Sequence, residues 1–141
     1  MKKKYFLEII IALILLLLLG SSLFFVTKKM HNLMIRKEAT DLFNESMNII
    51  GYAAVEIKLF KSIKKHYPES IKDVSKNNVL ERYDIELKNK DNKYELTLNR
   101  DMSEEVREYY CKFIEDEIYY GSSGYFLESC IPLRIEIIKE V

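Results

Sequence analysis

Nineteen consecutive residues, Ile9 to Thr27 (IIIALILLLLLGSSLFFVT), carry neither a charge nor a proline. As a helix rising 1.5 Å per residue they reach roughly 28 Å, about the thickness of a bilayer's hydrocarbon core. This run predicts a membrane-spanning helix, and it dictates how the rest of the chain must be arranged. A secretory signal would have a shorter apolar core, about 7 to 15 residues, ending in a small-residue cleavage site. Here Leu23, Phe24, Phe25 and Val26 run directly into Lys28 and Lys29, so the segment is expected to be retained.

Orientation is nearly balanced by charge alone. Lys2, Lys3, Lys4 and the amino terminus on one flank face Lys28, Lys29, Arg36 and Lys37 on the other. The two cysteines tilt the balance: Cys111 and Cys130 both lie in the C-terminal part, and an even pair suits a disulfide outside the cytoplasm. Such a loop would stabilise a small head by about 3 kcal/mol in the chain-entropy model. Two buried free thiols in a cytoplasmic head are the alternative.

One anchor carrying one small head fits the length, because the 114 residues after Thr27 are about the size of a single domain. Lys2, Lys3, Lys4 and Glu8 fall before that point, which leaves 19 basic and 21 acidic residues and a net charge of −2. No basic face suited to nucleic acid follows from this balance. The cluster Lys58, Lys61, Lys64, Lys65 is interleaved with helical core positions and reads as a solvated helix face.

The helical pattern continues past the apolar run. Ala39, Leu42, Phe43, Ser46, Met47, Ile50, Ala53, Ala54, Ile57, Phe60 and Ile63 recur at three- and four-residue spacing and describe one stripe. A nearly continuous helix from about Tyr5 to about His66 is expected, close to 90 Å long at about 1.5 Å per residue, the alternative being a break near Met30 to Asn32 and a separate second helix. Gly51 is its one soft point in the exposed half. Tyr67-Pro68 should end it.

Beyond the proline, Tyr83 to Leu87 and Tyr94 to Leu98 each alternate apolar and polar residues, with the polar loop Lys88 to Lys93 between them. This predicts an antiparallel hairpin with one apolar face. Ser103 followed by Glu104 and Glu105 should start a helix running to about Tyr120, where Gly121, Ser122, Ser123 and Gly124 break it. A last strand is expected at Leu133 to Ile138. The chain thus divides into a tip and membrane helix at residues 1–27, an amphipathic continuation at 28–66 and a small head at 67–141 that packs with 28–66. The fold class is α+β: a long N-terminal helix packed on a small antiparallel sheet, with Cys111 reaching Cys130 before the final strand.

This layout, a membrane helix with a lone glutamate, Glu8, near its start and extended into a long amphipathic helix, resembles the type IV pilin and pseudopilin superfamily. The phrase His66-Tyr67-Pro68-Glu69-Ser70-Ile71 is similar to the tyrosine-proline turn with which many members leave that helix. The helix carrying Cys111, followed by Cys130 near the C terminus, is similar to the disulfide-bounded region of many pilins. Glu8 would be the fifth residue if cleavage fell after Lys3. The resemblance implies that its carboxylate pairs with the amino terminus of a neighbouring subunit and sets axial register. A carboxylate at the edge of lipid is costly and seeks such a positive partner. Processed family members carry glycine before the cleavage point and an aromatic residue after it; Lys3 and Lys4 stand there in this chain.

Enzyme chemistry finds no constellation. His31 and His66 have no cysteine or carboxylate at a convincing metal spacing. Glu115, Asp116 and Glu117, with Glu128 farther on, form an acidic group without the spaced ligands and central glycine of a calcium loop. No cofactor and no metal is implied. The expected role is that of a structural subunit in a pilus-like or type II secretion-like assembly, a minor pilin or pseudopilin. The implied partners are membrane lipid, similar subunits and envelope-complex proteins, with no nucleic acid. The resemblance implies the inner membrane with the head in the periplasm. The competing expectation is a single-pass anchor whose periplasmic head binds a partner and forms no filament.

Overall fold

The computed structural model describes residues 2–74, 80–121 and 125–139. Helix α1 covers Lys2–Lys64. The chain separates into two compact units, Met1–Lys37 and Glu38–Val141. In the first unit the apolar residues from Ile9 to Val26 are exposed around the helix, as a lipid-facing segment requires. It is long and apolar enough to cross a membrane.

In the second unit the later part of α1 packs on the head. Ala39, Ser46, Ile49, Ile50, Ala53, Ala54 and Ile57 are buried. Leu42, Phe43, Met47 and Phe60 are half-buried, whereas Ile63 is 59 % exposed and does not extend the stripe. The helix stops at Lys64 because Lys65 turns into the left-handed region (φ 66°), its amide donating to the Lys61 carbonyl at 2.8 Å. The chain therefore leaves the helix before Tyr67-Pro68. Pro68 is buried, and the Tyr67 ring packs on that of Tyr94 at 5.8 Å between centroids.

A short helix α2 (Ile71–Val74) follows, and a 3-10 turn at Leu80–Arg82 leads into the sheet. The four strands are β1 (Ile85–Asn89), β2 (Lys93–Leu98), β3 (Tyr125–Cys130) and β4 (Leu133–Ile138), in the order β1-β2-β4-β3 and antiparallel throughout. The fold is α+β, a long N-terminal helix packed on a small antiparallel sheet. The hairpin forms with Ile85 opposite Leu98 and Leu87 opposite Leu96. Tyr83 lies before the first strand, and the connection shortens to 90–92. Ile85, Leu87, Tyr94, Leu96, Leu98, Leu133, Ile135 and Ile137 are all buried, and their period of two places them on one face. Helix α3 (Glu104–Gly121) lies between β2 and β3 in the chain, buries Val106, Tyr110, Ile114 and Ile118, and is capped by Ser103, whose Oγ accepts from the Val106 amide at 3.4 Å. The expected break at Ser122–Gly124 lies outside the described residues.

Strand β3 has no counterpart in the sequence reading. Tyr125-Phe126-Leu127-Glu128-Ser129-Cys130 alternates poorly because a bulge between Leu127 and Ser129 inserts Glu128 as an extra residue.

Candidate functional site: the anchor and the head surface

Three features carry the functional reading: the apolar helix with Glu8, the cysteine pair, and the surfaces that the head leaves open. Glu8 is exposed on the second turn of α1, immediately before the uncharged run. The helix positions it by simple continuity, since no breaker separates Lys2 from Thr27 apart from Gly20, which a helix tolerates.

Cys111 and Cys130 form a disulfide with 5.4 Å between their Cα atoms, joining the middle of α3 to the last residue of β3. The bridge secures the edge strand to the helix that packs beside it.

The second face of the sheet carries charge. On β2 and β4, Glu95 stands directly opposite Glu136, an arrangement that is repulsive by itself. Three cations relieve it. Lys90 Nζ lies 3.0 Å from Glu95 and 3.3 Å from Glu136, Lys93 Nζ lies 2.7 Å from Glu136, and Arg134 Nε lies 3.5 Å from Glu95 and 3.9 Å from Glu128. The bulge brings Glu128 to the same place, so oxygens of Glu95, Glu128 and Glu136 lie within 4.8 Å of one another. Hydrogen bonding to Glu136, then partial burial and the Glu95 charge, hold Glu128 above the ordinary carboxylate value. Glu136 is drawn down to about 2, first by Lys93 and next by Glu128. Burial pushes Glu95 up, yet Lys90 foremost more than offsets it, and the net shift is downward. Three carboxylates are matched by three cations. A divalent ion would bring charge to a set that is already neutral, and the arrangement is an ion-pair lattice between β2 and β4 that the bulge of β3 adjoins.

This lattice was not legible as a unit in the sequence. Glu128 appeared there beside Glu115, Asp116 and Glu117; those three lie exposed on α3, while Glu128 joins Glu95 and Glu136 on the sheet. The available signal was the polar positions of β2 and β4, Lys93-Glu95 and Arg134-Glu136, but pairing them needs the register. Of the two histidines, His31 is exposed on α1, and His66 is exposed after it with its ring edge-on to Phe60 at 5.4 Å. The structure brings neither to a carboxylate or cysteine cluster among the described residues.

No family model, curated protein or solved structure matches this chain. One further surface bears on the functional reading: Tyr52, Val55, Leu59 and Ile63 form an outward row on α1, 43 %, 62 %, 50 % and 59 % exposed, on the side opposite Ala53 and Ile57. The lower end of this row meets Phe60 and Val74 in a shallow apolar cleft rimmed by Glu56, Lys64 and Asp73.

Proposed function

We propose that this chain is a non-enzymatic structural subunit of a pilus-like or type II secretion-like filament, a minor pilin or pseudopilin. In this reading it is anchored in the inner membrane with its head in the periplasm. The observation that carries the reading is the arrangement of α1: Glu8 at the start of an uncharged membrane-length run, and the same helix continuing into a half that packs on a disulfide-bounded antiparallel sheet. The outward apolar row from Tyr52 to Ile63 adds support, because an isolated head gains nothing from three turns of exposed apolar surface.

The mechanism is packing. The segment from Ile9 to Val26 holds the subunit in lipid, then exchanges lipid contacts for the same segments of neighbouring copies. Glu8 fixes axial register by pairing with a neighbour's amino terminus, where an unpaired carboxylate would be strongly disfavoured. The test is Glu8→Gln, read as incorporation of the full chain into a cross-linked membrane assembly. Loss of incorporation with normal membrane insertion is the expected result. Unchanged incorporation removes the register role.

A second reading, a single-pass tether whose head binds a partner, draws on Lys3 and Lys4, which occupy the positions of the glycine and aromatic residue of a processed subunit. The mass of the mature chain from its native membrane separates the two. A start at Lys4 supports the filament subunit, and an untrimmed start supports the tether.

A further inference from the structure

The chain is neutral overall, but its two compact units are not. Seven of the 22 Lys and Arg residues and only one of the 22 Asp and Glu residues lie in Met1–Lys37. That unit carries +6 and the remainder −6. On the head side of the apolar run, Lys28, Lys29, Arg36 and Lys37 are all exposed, and no acid intervenes between Thr27 and Glu38. On a helix, an acid three or four residues away stabilises a lysine. Lys28 has Phe24, Phe25, His31 and Asn32 at those positions, and Lys29 has Phe25, Val26, Asn32 and Leu33. The helix therefore supplies neither lysine with a counter-charge from its own neighbouring turns.

We propose that Lys28 and Lys29 form a docking site for anionic phospholipid headgroups in the leaflet on the head side. This rests on the reading that the run from Ile9 to Thr27 spans the bilayer. Geometry selects these two residues from the collar. The polar zone of a leaflet is about 6 Å deep, and Lys28 and Lys29 stand about 1.5 and 3 Å along the helix past Thr27. Arg36 and Lys37 stand about 13.5 and 15 Å past it, beyond the headgroups and about one screening length from their outer edge in physiological salt. The four cations thus divide into a pair that touches phosphate and a pair that feels only a screened field.

The experiment uses the full chain in phosphatidylcholine vesicles containing trace spin-labelled phosphatidylglycerol or spin-labelled phosphatidylcholine. The fraction of each label that is motionally restricted by the protein gives their relative affinity. Phosphatidylglycerol should be preferred at physiological salt, where the screening length is about 8 Å, and one surface lysine contributes at most about a fivefold preference. K28Q/K29Q should lower the preference at least about twofold, and R36Q/K37Q should change it much less. K2Q/K3Q/K4Q measures the contribution of the opposite leaflet, so the two collars are read separately. An unchanged preference in K28Q/K29Q, or an equal loss in R36Q/K37Q, overturns the assignment. If neither label is restricted, the spanning reading itself fails and the proposal falls with it.

Discussion

Tyr110 donates its phenolic hydrogen to Ser46 Oγ across 3.0 Å, and neither residue exposes any surface to solvent. The same oxygen accepts from Arg100 Nε at 3.2 Å, and Arg100 in turn pairs with Glu45 at 3.4 Å. One hydroxyl on the apolar stripe of α1 thus joins that helix to α3 and to the loop after β2. Burial pushes the Tyr110 hydroxyl up, so it stays a donor at every physiological pH.

Removing the acceptor should therefore cost more than a methyl-sized change suggests. Ser46→Ala removes the acceptor of the buried Tyr110 hydroxyl and of the part-buried Arg100 Nε, and should destabilise the head by about 1–3 kcal/mol. Tyr110→Phe should cost about 1 kcal/mol, and the double variant less than the sum, since each change removes the other's partner. Denaturant unfolding of the four proteins gives the coupling energy. Strict additivity would show that the two hydroxyls contribute independently.

Reduction of Cys111–Cys130 should lower the melting temperature of the head by about 12–24 °C. The bridge spans a sequence separation of 19, a loop worth about 3 kcal/mol in the chain-entropy model, and each kcal/mol moves a domain of this size by about 4–8 °C. Calorimetry with and without reductant makes the comparison, and an unchanged midpoint would contradict it.

The ion-pair lattice predicts an unusual acid profile. Glu128 binds its proton more tightly in the folded state than at its ordinary value of 4.5, so its contribution to stability falls as pH rises through the folded value and is greatest below 4.5. Glu136 behaves in the opposite way. Its stabilisation is full above 4.5 and is lost as pH falls toward about 2. The melting temperature should therefore rise slightly as neutral solution is acidified toward pH 5, then fall between 4.5 and 2. Glu128→Gln should remove the rising limb and raise the neutral-pH midpoint by about 2 °C, a small change because the group is exposed.

Lys65 holds a positive φ that a side chain makes unfavourable. Lys65→Gly should stabilise the head by about 0.5–1 kcal/mol, measured by the same unfolding assay. A loss instead would show that the lysine side chain contributes more than the backbone relief.

The elements with strong periodicity were legible. The apolar run and stripe gave α1, Ser103 with two glutamates gave α3, and the alternation at Leu133–Ile138 matches β4. Legibility failed where geometry is set by tertiary partners. The α1 terminus came early because Lys65 accepts a glycine-like conformation before Pro68 acts. Strand β3 was missed because its bulge breaks the period of two. Ser46 could be placed on the stripe, but its reason for being there required Tyr110 and Arg100, both more than fifty residues away. The pairing of Cys111 with Cys130 was readable because only two cysteines exist; Glu95, Glu128 and Glu136 were not, because three strands must align before they meet.

The tie between α3 and β3 also has a mechanical side. When a chain is pulled between an N-terminal helix and a C-terminal strand, each residue it releases lengthens it by about 3.4 Å. The eighteen residues enclosed by Cys111 and Cys130 are bypassed by a crosslink whose Cα atoms sit 5.4 Å apart. About 60 Å of extension is thereby withheld from any load applied along the chain. A head that is tugged in this way transmits tension across the covalent bridge and leaves the half of α3 after Cys111 slack.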